Sequence, residues 1–247
     1  MTNSAISEFM ENNFQNDLFW DAVRQRKNDV ALEVFKQDNF ELDIYRTIDN
    51  GDNILIWAIK NKARDVIDHI FKLPKESIEA LVNYKNSNNN NSNALFYAVN
   101  NNDIETIKQI KELGFSISPE TIDLYNLNAD QVEIETLQTL DWDKDLLNLK
   151  ELHRFDGKIF NYISYGIKYR EATSLVKKLI QLEEFDPFYQ DDKTALRPYF
   201  TSRYYKHRQH VEGISNLILK KMHELDPKKA KKIASGFLGL RGHKLKP

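Results

Sequence analysis

Asn53-Ile54-Leu55-Ile56-Trp57-Ala58-Ile59-Lys60-Asn61-Lys62, continuing through Val66-Ile67-Asp68-His69-Ile70-Phe71, decides the fold of this chain. Its counterpart, 40 residues downstream, is Asn93-Ala94-Leu95-Phe96-Tyr97-Ala98-Val99-Asn100-Asn101-Asn102, followed by Ile104-Glu105-Thr106-Ile107-Lys108-Gln109-Ile110. Leu55 and Leu95, Ala58 and Ala98, Ile67 and Ile107, and Ile70 and Ile110 coincide. A third copy lies 36 residues upstream, where Phe19, Ala22, Ala31, Val34 and Phe35 match Leu55, Ala58, Ile67, Ile70 and Phe71. Each copy reads as two short helices, because Leu55, Ala58 and Ile59 share one face by i, i+3, i+4 spacing, as do Ile67, Ile70 and Phe71. Asn53 and Asn93 stand at N-cap positions, and Asn102 stands at an inter-helix turn, where Asn tolerates left-handed backbone. A single pair of such helices cannot bury its apolar stripe, so neighbouring pairs must stack. The pattern predicts an all-α helical-repeat solenoid, with pairs over 17–36, 53–72 and 93–112 and with Ala22, Ala58 and Ala98 buried between helices.

The pattern resembles the ankyrin repeat, whose motif is Thr-Pro-Leu-His-x-Ala followed by a second helix. Here it stands as Asn53-Ile54-Leu55-Ile56-Trp57-Ala58 and Asn93-Ala94-Leu95-Phe96-Tyr97-Ala98, and Leu113-Gly114-Phe115 is similar to the family's closing Leu-x-x-Gly-Ala. The family's His is absent from every copy. A further copy starts at Asp191-Asp192-Lys193-Thr194-Ala195-Leu196, and Ile163 to Ile180 is read as another pair. The resemblance implies a solenoid of about four to six units. It divides the chain into ankyrin-like repeats over 1–118, divergent helical pairs over 119–225, and a basic C-terminal helix and tail over 226–247. It also implies a non-catalytic module that binds a protein through loop tips and the concave face. Carried over residue by residue, the partner-binding candidates are Asp52, Trp57, Lys60 and Asn61 in one copy, and Tyr97, Asn100 and Asn101 in the next. Trp57 and Tyr97 stand at the variable position before the motif Ala, where exposed aromatics would anchor a partner. An Asn/Ile/Lys bias without cysteine resembles ankyrin effectors that intracellular bacteria deliver into host cells.

Composition narrows the alternatives. The chain has 247 residues, 41% hydrophobic and 29% charged, enough to build a core and too apolar for wholesale disorder. Cysteine is absent, which excludes disulfide scaffolds, thiol nucleophiles and Cys-ligated zinc. Eight Gly and six Pro are too few for turn-rich sandwiches or glycine-rich nucleotide folds. No run of apolar residues is long enough to span a membrane as a helix. The start, Met1-Thr2-Asn3-Ser4-Ala5-Ile6-Ser7-Glu8, lacks the pattern of a secretory signal, so the expected location is cytoplasmic or, after delivery without such a signal, a host cell. The run Asn86-Ser87-Asn88-Asn89-Asn90-Asn91-Ser92-Asn93 stretches the second period and reads as a solvated loop.

Charge is polarised along the sequence. From Thr201 onward there are 12 Lys/Arg against 3 Asp/Glu, leaving 23 basic and 34 acidic residues before that point. Asp226-Pro227 supplies an N-cap and first-turn proline for a short helix expected to end before Gly236. On it Lys228, Lys229, Lys231 and Lys232 are expected to face solvent, and with Arg203, Lys206 and Arg208 they form a candidate basic patch. A nucleic acid, an anionic lipid surface or nuclear import machinery would recognise such a patch. Val211, Ile214, Ile218 and Leu225 trace the apolar stripe of a preceding helix that closes the stack.

Three other constellations carry no chemistry. Asp141-Trp142-Asp143-Lys144-Asp145 starts like a calcium loop, yet Leu146 and Leu152 stand where Gly and Glu are needed. His207 and His210 lie one helical turn apart among cations, without a placed third ligand, so no metal site is assigned. Gly236, Gly239 and Gly242 lack the Lys-Ser/Thr pair of a phosphate loop. No cofactor is expected, and hydrolase signatures are missing.

Overall fold

Among the left-handed residues in the first half of the chain are Arg26, Lys62 and Asn102, at φ 57°, 54° and 57°. Their spacings, 36 and 40 residues, are those of the sequence copies. Each marks the turn inside one helical pair. The pairs are α1 (Asn3–Arg24) with α2 (Asn28–Phe35), α3 (Ile54–Lys60) with α4 (Arg64–Ile70), and α6 (Ala94–Asn100) with α7 (Ile104–Glu112). Between the second and third pairs lies α5 (Lys75–Asn83), and α8 (Ile134–Gln138) follows the third. In this computed structural model the described residues are 3–37, 40–117, 127–128, 130–142, 153–155, 158–160, 173–188 and 213–239.

The helices start where the sequence supplies caps. Asn53 accepts the Ile56 N–H at 2.8 Å, and Asn93 accepts the Phe96 N–H at 2.9 Å. Asp103 caps α7 in the same way, through the Thr106 N–H at 3.1 Å. Such caps satisfy amides that the first helical turn leaves orphaned. Successive pairs then pack element on element: α2 lies against α4, and α3 against α6. Ala22, Ala31, Ala58 and Ala98 are buried at these contacts, with Leu55, Ile67, Leu95, Ile107 and Ile110 filling the layer between helices. A small residue at each crossing lets backbones approach closely, and the branched residues complete the packing. Asn53 Nδ2 also donates to the Leu81 carbonyl at 2.8 Å, tying α5 to the start of α3.

The upstream end is aromatic. Phe19 packs edge-on against Trp20 and Phe35 and touches Phe40, with ring centroids 5.4 to 5.7 Å apart. The segment after α2 is strapped across α1 by Asn16, which donates to the Glu41 carbonyl at 2.7 Å and accepts the Asp43 N–H at 2.9 Å. Arg46 pairs with Asp17 at 2.7 Å beside this strap.

The chain divides into two compact units, Met1–Leu140 and Asp141–Pro247. Asn102 holds the segment beyond 118 to the third pair by donating to the Gln131 carbonyl and accepting from Glu133 N and Thr136 Oγ1, at 2.7 to 3.0 Å. The last two helices, α10 (Ile214–Leu225) and α11 (Pro227–Gly239), pack on each other. Besides these, the second unit has α9 (Thr173–Leu179) and a hairpin of β1 (His153–Phe155) and β2 (Lys158–Phe160), antiparallel with Arg154 opposite Ile159. Helix otherwise dominates the described residues, as an all-α reading requires.

Two local expectations change here. Along α10 the buried stripe is Ile214, Ile218 and Met222, each one turn on, whereas Leu225 at the frayed end is exposed. Helix α11 runs through Gly236 to Gly239, because one glycine lowers helix propensity without ending a helix already under way. Val211, His207, His210, Asp143 and the copy from Asp191 to Leu196 lie outside the described residues.

Candidate functional site

Two cavities open at successive junctions between helical pairs. The first, about 380 Å³, lies between the end of α1, the 48–52 loop and the end of α3; its lining includes Val23, Arg26, Asp49, Trp57, Lys60 and Asn61. The second, about 240 Å³, is lined by Ile59, Lys62, Arg64, Ile67, Asn101 and Asp103. They are related by the repeat. Val23 and Arg26 correspond to Ile59 and Lys62 at the 36-residue offset, and Asn61 corresponds to Asn101 at the 40-residue offset.

The floor of the first cavity is a buried polar network centred on Asp52, which is 1% exposed. Its carboxylate takes Lys60 Nζ at 2.7 Å, Asn50 Nδ2 at 2.9 Å and Asn86 Nδ2 at 2.7 Å. The Lys60 ammonium simultaneously sits 4.5 Å over the Tyr97 ring, whose hydroxyl accepts from Asn89. The Asp52 side of this ion pair is buried and its carboxylate is filled by three donors, while the Lys60 side chain stays about a third exposed. Gly51, at φ 81°, makes the loop possible: a Cβ there would come within 2.7 Å of both Asn86 Oδ1 and Asn88 Nδ2.

Expected solvation of the Asn-rich run needs correction. Asn86, Ser92 and Asn93 are buried, Asn86 pairs with Ser92 across a bridge, and only 87–91 are exposed. Asn composition conceals which amide becomes a hub.

Trp57 and Tyr97 are also corrected: they are 3% and 6% exposed, and neither is an exposed anchor. Tyr97 is covered by Phe96, edge-on at 5.1 Å, by the Lys60 ammonium and by Asn89. Trp57 lines the first cavity as a wall rather than projecting from it. Asp52 acts from within, through Lys60. Asn100 accepts the Asn128 N–H at 2.8 Å and so serves the chain's own packing. Lys60, Asn61 and Asn101 line the cavities while remaining partly exposed, beside the buried Asp52 and Trp57. The Asn61 amide donates to the Trp57 carbonyl at 2.8 Å and that of Asn101 to the Ile59 carbonyl at 3.0 Å. Arg24, Arg26 and Lys62 were missed by sequence reasoning, although the 36-residue register places Arg26 and Lys62 at one structural position.

Arg64 closes the side of the second cavity. It donates to Asp68 at 2.5 Å, to Thr106 Oγ1 at 3.1 Å and to Gln109, bridging α4 and α7. Burial by itself lowers the Arg64 pKa, but the hydrogen bond and charge of Asp68, with Glu105 and Asp103, outweigh it and the net direction is up. The Arg64 hydrogen bond holds the Asp68 carboxyl below its ordinary value, helped by Gln109 against partial burial.

In the second unit, Lys228, Lys229, Lys231 and Lys232 are exposed on α11, and only Ala230 among them turns inward. Asp226 caps this helix, accepting the Lys229 N–H at 2.9 Å. Arg203, Lys206 and Arg208 lie outside the described residues. Lys221 of α10 donates to the Ile180 carbonyl at 3.1 Å and to that of Leu182, capping the end of α9, and burial pushes its pKa down against Glu184, Glu183 and Glu224.

Among the described residues no cluster of three His, Asp or Glu could hold a metal ion, and no helix is long and apolar enough to cross a membrane. No protein-family model, curated protein or solved structure matches the chain.

Proposed function

We propose that the first unit is an ankyrin-like solenoid segment that binds a protein partner across its inter-helix turns and loop tips, without catalysis. The observation that carries this reading is the recurrence of one cavity at repeat-equivalent positions, with polar and charged groups at its mouth and a sealed apolar layer beneath. Stacked repeats generate such a surface because each pair contacts only its neighbours and leaves its turn edge bare. The partner-facing residues in this reading are Lys60, Asn61 and Asn101, joined by Arg26 and Lys62; Trp57 and Tyr97 support them from below.

Photo-crosslinking tests it. A benzophenone amino acid placed at Lys62 or Asn90 should capture a discrete protein partner, whereas one at Glu79 on α5 should not. Capture from Glu79 alone would contradict the reading.

A second reading rests on α11, where four exposed lysines have no carboxylate partner among the described residues. Two of them occupy the first turn, where the helix dipole disfavours cations. An anionic surface, either nucleic acid or acidic lipid, would relieve that arrangement. Changing all four to Gln should then abolish the salt-sensitive part of binding to such a surface and leave the melting temperature unchanged.

A further inference from the structure

The first unit carries 13 basic and 23 acidic residues up to Leu140, yet its cations are not scattered. Arg24, Arg26 and Lys27 surround the first inter-helix turn, and Lys60, Lys62 and Arg64 surround the second. The third turn, Asn100-Asn101-Asn102-Asp103, has none. Arg24 is occupied by Asp21 at 2.8 Å, Lys60 by Asp52 and Arg64 by Asp68. Arg26, Lys27 and Lys62 are exposed and have no carboxylate partner among the described residues.

Arg26 and Lys62 are also in the wrong conformation for their residue type. Left-handed backbone suits Gly or Asn, and the third turn duly places Asn102 there. Nothing in the turn requires a long cationic side chain at the other two. Beside each of these cations the Asn of the next repeat lines the cavity, Asn61 in one and Asn101 in the other, and each spends its Nδ2 internally, on the Trp57 and Ile59 carbonyls, with no bonded donor on its Oδ1 among the described residues. Each junction therefore offers one amide oxygen and one free cation side by side. An amide oxygen accepts a peptide N–H; a cation takes a carboxylate.

We infer that this turn edge is a track for an extended acidic peptide of the partner protein, with carboxylates at Arg26 and Lys62 and backbone N–H groups at Asn61 and Asn101. The inference rests on the protein-binding reading above and narrows its partner class. Packed helices lie about 8–10 Å apart, and an extended chain of polyproline II type rises about 3.1 Å per residue with three residues per turn, so acidic side chains three residues apart fall on one face and match the junctions. A polynucleotide fits less well: it carries a phosphate on every nucleotide, so some would fall beside Asp49, Asp52 or Asp103 in the same cavities, whereas a peptide can confine its carboxylates to the two cations.

The test uses the full chain and a fluorescent peptide repeating Val-Glu-Thr, its Gln counterpart, and a short oligothymidylate, read by anisotropy. The Glu peptide should bind, and its Gln counterpart should bind about tenfold more weakly or worse. Arg26→Asn and Lys62→Asn should each weaken binding about three- to fivefold while the melting temperature holds or rises, since Asn suits the backbone. Equal affinity for the Gln peptide, tighter oligothymidylate binding that Arg26→Asn and Lys62→Asn weaken, or full affinity in both Asn variants would overturn the inference. So would absence of binding by the Glu peptide. If crosslinks at Lys62 and Asn90 persist in that event, protein binding stands and only the acidic class is wrong; if they vanish too, both fall.

Discussion

Arg26 and Lys62, 36 residues apart, hold the same left-handed backbone, φ 57° and 54°, at the same point of consecutive helical pairs. In both, the strained residue closes the turn after the first helix: the amide of Lys27 returns to the Ala22 carbonyl at 2.9 Å, and that of Ala63 to the Ala58 carbonyl at 2.9 Å. Relief of that strain is measurable. Lys62→Gly should raise the free energy of unfolding in urea by about 0.5–1 kcal/mol, the left-handed penalty exceeding glycine's added chain entropy. A loss of similar size would mean that the Lys62 side chain itself supports the fold.

Ala58 and Ala98 sit at helix contacts with no exposed surface. Ala58→Leu or Ala98→Leu should cost about 1–3 kcal/mol by overpacking, and the two together should cost more than their sum or less, because α3 and α6 touch. Denaturant melts of both singles and the double measure this. Unchanged stability would contradict the close contact of these helices.

Asp52→Ala should cost about 1–2 kcal/mol, since it removes the buried acceptor shared by Asn50, Asn86 and the partly exposed Lys60. Asp52→Ala combined with Lys60→Met should recover part of that loss, because the unpaired Lys60 charge is gone. A double variant as unstable as the sum of the singles would place the value of Asp52 elsewhere.

The acid limb of stability should depend on Asp68. Its folded pKa lies below the ordinary value, so its contribution is present at pH above the unfolded carboxyl pKa and is lost as pH falls through the folded one. Asp68→Asn should therefore flatten the acid side of the stability-versus-pH curve and leave the curve above neutrality parallel to wild type. An acid limb that overlays wild type would remove Arg64 and Asp68 from the account.

Much of this was legible before the structure, and for a physical reason: the repeat forces the same apolar positions inward each time. Leu55, Ala58, Ile67 and Ile70 and their counterparts are buried as their spacing requires, and the N-caps at Asn53, Asn93 and Asp226 form as their residue types predict. Helix α5 was missed although Ile78, Leu81 and Val82 have helical spacing after Pro74, because it occupies the interval that lengthens the second period. The burial of Trp57 and Tyr97 was not legible. For Tyr97 it depends on Lys60 and Asn89 folding over the ring, and a polar run does not announce which of its amides turns inward. Arg26 and Lys62 stand in plain view in the sequence at the 36-residue offset, and only their shared backbone geometry sets them apart.

Hydrogen exchange of the full chain, free and in complex with a crosslink-identified protein partner, tests the central claim most directly. The account predicts slowed exchange in the complex at 24–27 and 60–64, with α5 and α11 unaffected. Protection confined to 227–239, or absent from both turns, would contradict it.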